Sequence, residues 1–382
     1  MNPKILFLPV LLATAVFATA QIRDALEVQK GREDKLKKRG AATYYNERWD
    51  LAELPVYTPQ QKVTGTIRLK GSNYFTDCSL AAQWEEGFKK FHPGVAFDWD
   101  MKTTLAAMPS LTFGTADIGP SRHATPDEIL LFQRHKNYHP TEINVVTGSL
   151  NVPGWSYALG IFVHKDNPIT QLTIEQLDGI FGAERAGAFV HNTWDTGVAR
   201  GPEKNLRTWG QLAATGEWAS KPIQVYGYNL FYHIPRTFER HVFQGGGKWN
   251  ENLHEFTNYK NADGTTELEA KQVTDAIAKD RSGIGYSGFG FLTPDVKFVA
   301  IAPRGSKNYV PLNLATLRDR SYPLPDEVYF YLARKPGEPV DPKVDEFVRY
   351  VLSREGQDAV QRDAKYLPLP ATVVREQLKK LE

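Results

Sequence analysis

Cysteine is nearly missing from this sequence: Cys78 is the single one in 382 residues, so no internal disulfide can form. Charge of one sign is missing too. Lys and Arg number 46 against 44 Asp and Glu, a net charge of +2, which excludes the strong basic bias of a nucleic-acid surface. Beyond Phe17 no run is apolar enough to cross a membrane. No G-x-S-x-G, H-E-x-x-H or paired-carboxylate motif marks a catalytic centre, so enzyme activity is not expected. Gly245-Gly246-Gly247 lacks the flanking GK[ST] of a P-loop, and no cofactor fingerprint is present. His135 and His139 have metal-ligand spacing, but Tyr138 and Pro140 end the helix there and no third ligand is near in sequence. They read as surface histidines.

What is there begins with Lys4, an apolar run from Ile5 to Phe17, and Ala18-Thr19-Ala20 before Gln21. This is the pattern of a secretory signal peptide, so the chain is expected to be exported to the periplasm or outside the cell. Cys78 lies too far from the cleavage site to carry a lipid anchor. A densely charged run, 24–40, follows within an N-terminal extension placed at 21–62.

From Val63 onward, strand-like and helix-like segments alternate. Strands are predicted at 67–70, 95–100, 143–146, 157–164, 223–227, 297–302 and 327–334. Helices are predicted at 76–91, with Leu80, Trp84, Phe88 and Phe91 on one face, and at 236–243 and 345–356, the last stopped by Gly356. Two more, at 125–135 and 172–181, open with capping boxes, Thr125 with Glu128 and Thr173 with Gln176. The Gly-rich 283–292 reads as a turn and 183–206 as an insertion loop. Cys78 falls in the first turn of its helix and reads as a small packed residue. The alternation implies layered α/β architecture in two lobes.

Within this frame Gly71-Ser72-Asn73 joins a strand to a helix. Such a joint aims unpaired N–H groups and a positive dipole end at whatever sits there, most naturally an oxyanion. Several segments together resemble the phosphate-type periplasmic binding proteins that serve ABC importers. They are GSNYF, FGTADIGPSRHATPDE (113–128), LTIEQLDGIF with TWGQLAATGEWASKPIQVYG (208–227), GIGYSGFG, and GQDAVQRDAKYLPLP (356–370).

The resemblance runs from about Val63 to the end. It implies the two-lobed type II periplasmic-binding-protein fold, with mixed sheets flanked by helices and two hinge crossovers near 157–164 and 327–334. Its boundaries place lobe 1 at 63–156 and 324–382 and lobe 2 at 157–323. It further implies that Ser72 and Asn73 contact a small anion, that Asp117 accepts the proton of a partly protonated phosphate, and that Ser121 and Arg122 lie beside it. The Arg122 guanidinium suits an oxyanion as a bidentate fork.

Two stretches depart from the family pattern. A Gly-Ser-Gly loop is replaced by Met101-Lys102-Thr103-Thr104, which keeps hydroxyls at Thr103 and Thr104 but loses the glycines. In the second lobe an "R-x-D-x-S-G-T" loop is replaced by the aromatic strip from Tyr226 to His233. Tyr228, Asn229, Tyr232 and His233 either contact the ligand or pack between lobes, and Arg236 supplies one positive charge. Free phosphate is then expected to bind no tighter than about 0.1 mM. The reading is an exported, monomeric solute-binding protein presenting a small anionic ligand to an ABC importer or a sensor. The alternative is a scaffold that keeps the fold and acts through protein contacts, and an exported phosphohydrolase stands third.

Overall fold

The computed structural model of the chain describes residues 45–152, 155–190 and 193–382. The signal segment and the charged run lie outside the described residues.

Two five-stranded mixed sheets carry the architecture. The first holds β1 (Gly65–Lys70), β2 (Val95–Asp100), β3 (Ile118–Ser121), β4 (Thr141–Thr147) and β10 (Glu327–Leu332), in the order β2-β1-β3-β10-β4. The second holds β5 (Leu159–His164), β6 (Gln224–Tyr228), β7 (His254–Phe256), β8 (Gly283–Gly288) and β9 (Val296–Phe298), in the order β7-β6-β8-β5-β9. The chain therefore crosses from the first sheet to the second after Thr147 and returns before Glu327. β5 and β10 lie wholly within their own sheets, so the crossings fall just before the two segments where the sequence suggested them.

β1 keeps its alternation, with Ile67 and Leu69 fully buried. α1 (Leu80–Lys89) buries Leu80, Trp84 and Phe88 against the sheet. Phe75 meets Trp84 edge-on at 5.1 Å, and Trp84 meets Phe330 of β10 at 5.8 Å. Both capping boxes form, Thr125 with Glu128 opening α3 (Pro126–Lys136) and Thr173 with Gln176 opening α4 (Ile174–Phe181). The short α2 (Ala107–Thr112) lies between β2 and β3. Cys78 sits just ahead of α1, its thiol turned to the Tyr74 carbonyl and its pKa raised by burial.

Four expectations change. Residues 283–288 form the central strand β8, with all six residues buried. The glycines serve packing: a Cβ on Gly285 would lie 2.7 Å from Val273 of α6 (Glu269–Lys279) and 2.9 Å from the Tyr226 carbonyl. The predicted helix 345–356 is two helices, α7 (Pro342–Val351) and α8 (Arg354–Asp363), broken where Ser353 caps α8 and accepts from Gly356 N–H. The predicted strand 297–302 is split, because Ala300–Ala302 leaves β9 to pair with Gln171–Thr173. Finally, the last part of the extension belongs to the core. Tyr45, Trp49, Leu54 and Tyr57 are buried, and Tyr57 donates to Glu346 at 2.7 Å.

Candidate functional site at the strand ends

β1 runs parallel to β2 and to β3, so the loops that follow all three open at one edge of the first sheet. Asn73, Thr103, Thr104, Ser121 and Arg122 reach this edge with Ser72. The edge of a parallel sheet at its carboxyl ends is where open α/β folds bind ligands. β10 is antiparallel to β3 and starts there, which brings in Asp326. Ser72 N–H donates to the Pro120 carbonyl at 2.7 Å and ties the loop after β1 to the end of β3.

The two serines are the informative residues. Both are fully buried, and among the described residues neither hydroxyl has a hydrogen-bond partner. Ser72 precedes a helical turn but its side chain caps nothing. Buried polar groups are normally paired, so two unpaired hydroxyls on adjacent strand ends point to a missing acceptor.

Arg122, 4% exposed, follows Ser121 directly. Its Nε donates to Ser156 Oγ at 2.9 Å, an Nη reaches the Tyr74 hydroxyl at 3.4 Å, and an Asp326 oxygen stands 3.5 Å away. Burial pushes the Asp326 carboxyl above its ordinary range, against the pull of Arg122 and Thr237.

Asp117 is elsewhere. It stands at the opening end of β3, roughly 13 Å from Ser121 at about 3.3 Å per residue. Its carboxylate accepts from Arg68 N–H at 2.9 Å and from the Arg68 guanidinium at 2.6 Å. Burial pushes this carboxyl up, but the hydrogen bonds from Arg68 outweigh it and hold the pKa below the usual range. The structure does not bring Asp117 to the serines. Asp326 is a buried carboxylate at that edge; it carries no motif and becomes visible only through the antiparallel entry of β10.

The residues that the sequence named around the second sheet are bonded to partners on that same side. Tyr228, at the end of β6, is fully buried and its hydroxyl is shared between Tyr157 at 3.1 Å and Ser287 at 3.0 Å. Asn229 forms the turn that follows, Tyr232 accepts from Asn258 N–H at 3.1 Å, and Arg236 pairs with Glu239 at 2.9 Å. His233 opens α5 (His233–Val242).

That helix bridges to the first sheet. Thr237 donates to Asp326 at 3.0 Å. Arg240 reaches Glu142 of β4 at 2.9 Å, bonds His123, and stacks over the Tyr329 ring at 5.5 Å. Arg240 and His123 were missed because nothing local marks them. Chemically, the edge offers two hydroxyls and one guanidinium to an oxyanion, with one buried carboxyl beside it.

A family model described as a PBP superfamily domain matches residues 57–355. The chain belongs to this family. Among curated members it is 33% identical over 329 residues to the phosphate-binding protein PstS of Pseudomonas aeruginosa, covering 86% of this chain and 90% of that protein. It is 24% identical over 217 residues to the protein SphX of Synechococcus elongatus, covering 56% and 54%. The crystal structure of PstS from Borrelia burgdorferi overlaps 81% of this chain and 100% of its own, at 13% identity and a TM-score of 0.49. The expected two-lobed PBP fold agrees with the family match and with the two mixed sheets described above.

Proposed function

We propose that this PBP-family chain is an exported solute-binding protein that captures phosphate, or a related small oxyanion, between its lobes for an ABC-type importer. The observation that carries this is the pair of buried, unpartnered hydroxyls of Ser72 and Ser121 beside the Arg122 guanidinium. The similarity to a phosphate-binding protein over most of both chains supports phosphate as the first ligand to test. In this reading residues 63–156 and 324–382 form one lobe and 157–323 the other. The ligand accepts from Ser72, Ser121 and Arg122, while Thr237 holds the second lobe against the same edge through Asp326. These groups are buried, so the ligand enters by separation of the lobes, a hinge motion about the two crossings. Export follows from residues 1–20, and N-terminal sequencing of the envelope form is expected to begin at Gln21.

The test is calorimetry with inorganic phosphate. One site per chain is expected, lost by at least about tenfold in Arg122→Met, because a charge-assisted hydrogen bond is worth about 1.5–3 kcal/mol. The absence of binding with phosphate, sulfate or arsenate would favour the scaffold reading. One observation supports that second reading: Tyr228, Tyr232 and Arg236 already have protein partners.

A further inference from the structure

Asp178, in the last turn of α4, is 4% exposed and faces three arginines. Arg185 grips it with both terminal nitrogens, at 2.8 and 2.6 Å. Arg304 stands 3.9 Å away and donates to the Val242 carbonyl at the end of α5 at 2.6 Å. Arg200 is the odd member. Its Nε lies 3.5 Å from Asp178, its side chain is 5% exposed, and neither terminal nitrogen has an acceptor among the described residues. Arg185 Nε is unmatched as well.

The neighbouring charges do not close the balance. Glu184 is exposed and accepts from Asn205 at 3.3 Å. Glu175 accepts from Gly305 N–H at 2.7 Å. Arg207 is turned to the Gly179 and Gly182 carbonyls, with Glu251 3.8 Å away. One buried carboxylate is left against two buried guanidiniums, those of Arg185 and Arg200, and the partly exposed one of Arg304. A guanidinium cannot shed its proton at any physiological pH, and a buried, unmatched charge is strongly unfavourable. A counter-anion resolves it.

We propose that Arg200, with Arg185 and Arg304, holds a second small oxyanion, and that this anion pins the insertion 183–206 to the ends of α4 and α5. The two free terminal nitrogens of Arg200 form a planar fork that matches two oxygens of phosphate, sulfate or a carboxylate. The insertion closes on itself at this point, since Arg185 and Arg200 exchange both backbone hydrogen bonds at 2.9 Å. The site is separate from the strand-end group of Ser72, Ser121 and Arg122. The first half of α5 reaches Asp326 beside that group and the helix ends here, its full length being about 15 Å at about 1.5 Å per residue.

The test is equilibrium dialysis of the mature chain against radiolabelled phosphate, and separately against sulfate and acetate, with thermal unfolding in parallel. Wild type is expected to hold one equivalent more than Arg200→Gln. Arg200→Lys keeps the charge but loses the fork, and its second site is expected to weaken at least tenfold, to about a tenth of the wild-type affinity. In oxyanion-free buffer Arg200→Gln should melt no lower than wild type, because the substitution removes an unmatched charge. Equal stoichiometry in the two proteins would overturn the proposal, and so would a lower melting point of Arg200→Gln without oxyanion, or failure of both variants to fold. Each would assign Arg200 to packing alone. The readout is a difference of one equivalent, so it holds whether or not the strand-end group takes phosphate.

Discussion

A serine hydroxyl distinguishes a ligand contact from a cap by what its removal costs. Ser72 and Ser121 spend their hydroxyls on no described neighbour, so Ser72→Ala and Ser121→Ala are expected to leave the melting temperature within about 2 °C of wild type. Each should weaken ligand binding by about 1 kcal/mol, roughly fivefold. A cap would show the reverse, lost stability with unchanged affinity. Asp117→Asn is the contrast. Its partner Arg68 is 41% exposed, so the cost in stability should stay within about 1 kcal/mol, with ligand affinity and selectivity unchanged. Calorimetry and thermal unfolding on the three variants check this. The ADIG segment attracted attention to Asp117 through its resemblance, but strand direction puts Asp117 and the serines at opposite ends of β3. Four and five residues on, Ser121 and Arg122 stand at the other end of the strand.

Among the elements, α5 joins the two sheets through Thr237 and Arg240. Its second half carries Arg240, bonded to His123 and Glu142, and His241, which faces Glu327, Arg240, Arg320 and the Pro325 backbone. Burial pushes His241 down to about 4. It also lowers His123, with Arg240, His241, Arg122 and His233 adding to the effect and the Tyr329 hydroxyl 3.3 Å away. Both rings are thus neutral when α5 is docked and regain a pKa near 6.5 when it leaves. Docking strength should be full above about pH 6.5 and fall as pH drops toward 4, because the separated state then binds more protons. The expected outcome is a melting temperature that declines between pH 7 and pH 5, with a shallower decline in His241→Gln. An equal slope in that variant would remove His241 from the account. The sequence showed α5 as a helix and the strip before it as aromatic. That its far face meets β4 and β10 was hidden, since Glu142 and Arg240 lie 98 residues apart.

At the level of the whole molecule, the two crossings touch. Gly148 N–H donates to the Asp326 carbonyl at 2.7 Å, and a Cβ on Gly148 would lie 2.5 Å from that oxygen and 3.2 Å from the Ser156 carbonyl. Gly148→Ala is therefore expected to force the crossings apart. It should cost about 1–3 kcal/mol of stability and also shift ligand affinity, although Gly148 offers no side chain to a ligand. A variant with wild-type stability and affinity would show that the crossings adjust without strain. The N-terminal segment belongs to this scale as well. The Leu150 N–H of the first crossing donates to the Tyr45 hydroxyl at 2.7 Å, so residues before the first strand brace that crossing.

Much was decided by the sequence alone. Period-2 and period-3.6 patterning, capping residues and motif order are local or additive along the chain, so they named most strands and helices, the two-lobed class and the Ser72–Ser121–Arg122 group. The tertiary structure decided what depends on strand direction and on distant partners. It made 283–288 a buried strand, because the glycine spacing that signals a turn also lets α6 pack closely. It set Asp117 at the far end of β3 from the serines and brought Asp326, Thr237 and Ser156 beside Arg122 from the crossings and α5. It also set one buried carboxylate against three arginines around Asp178. Charge balance at a buried point is a sum over side chains that only folding brings together, and no local pattern records it.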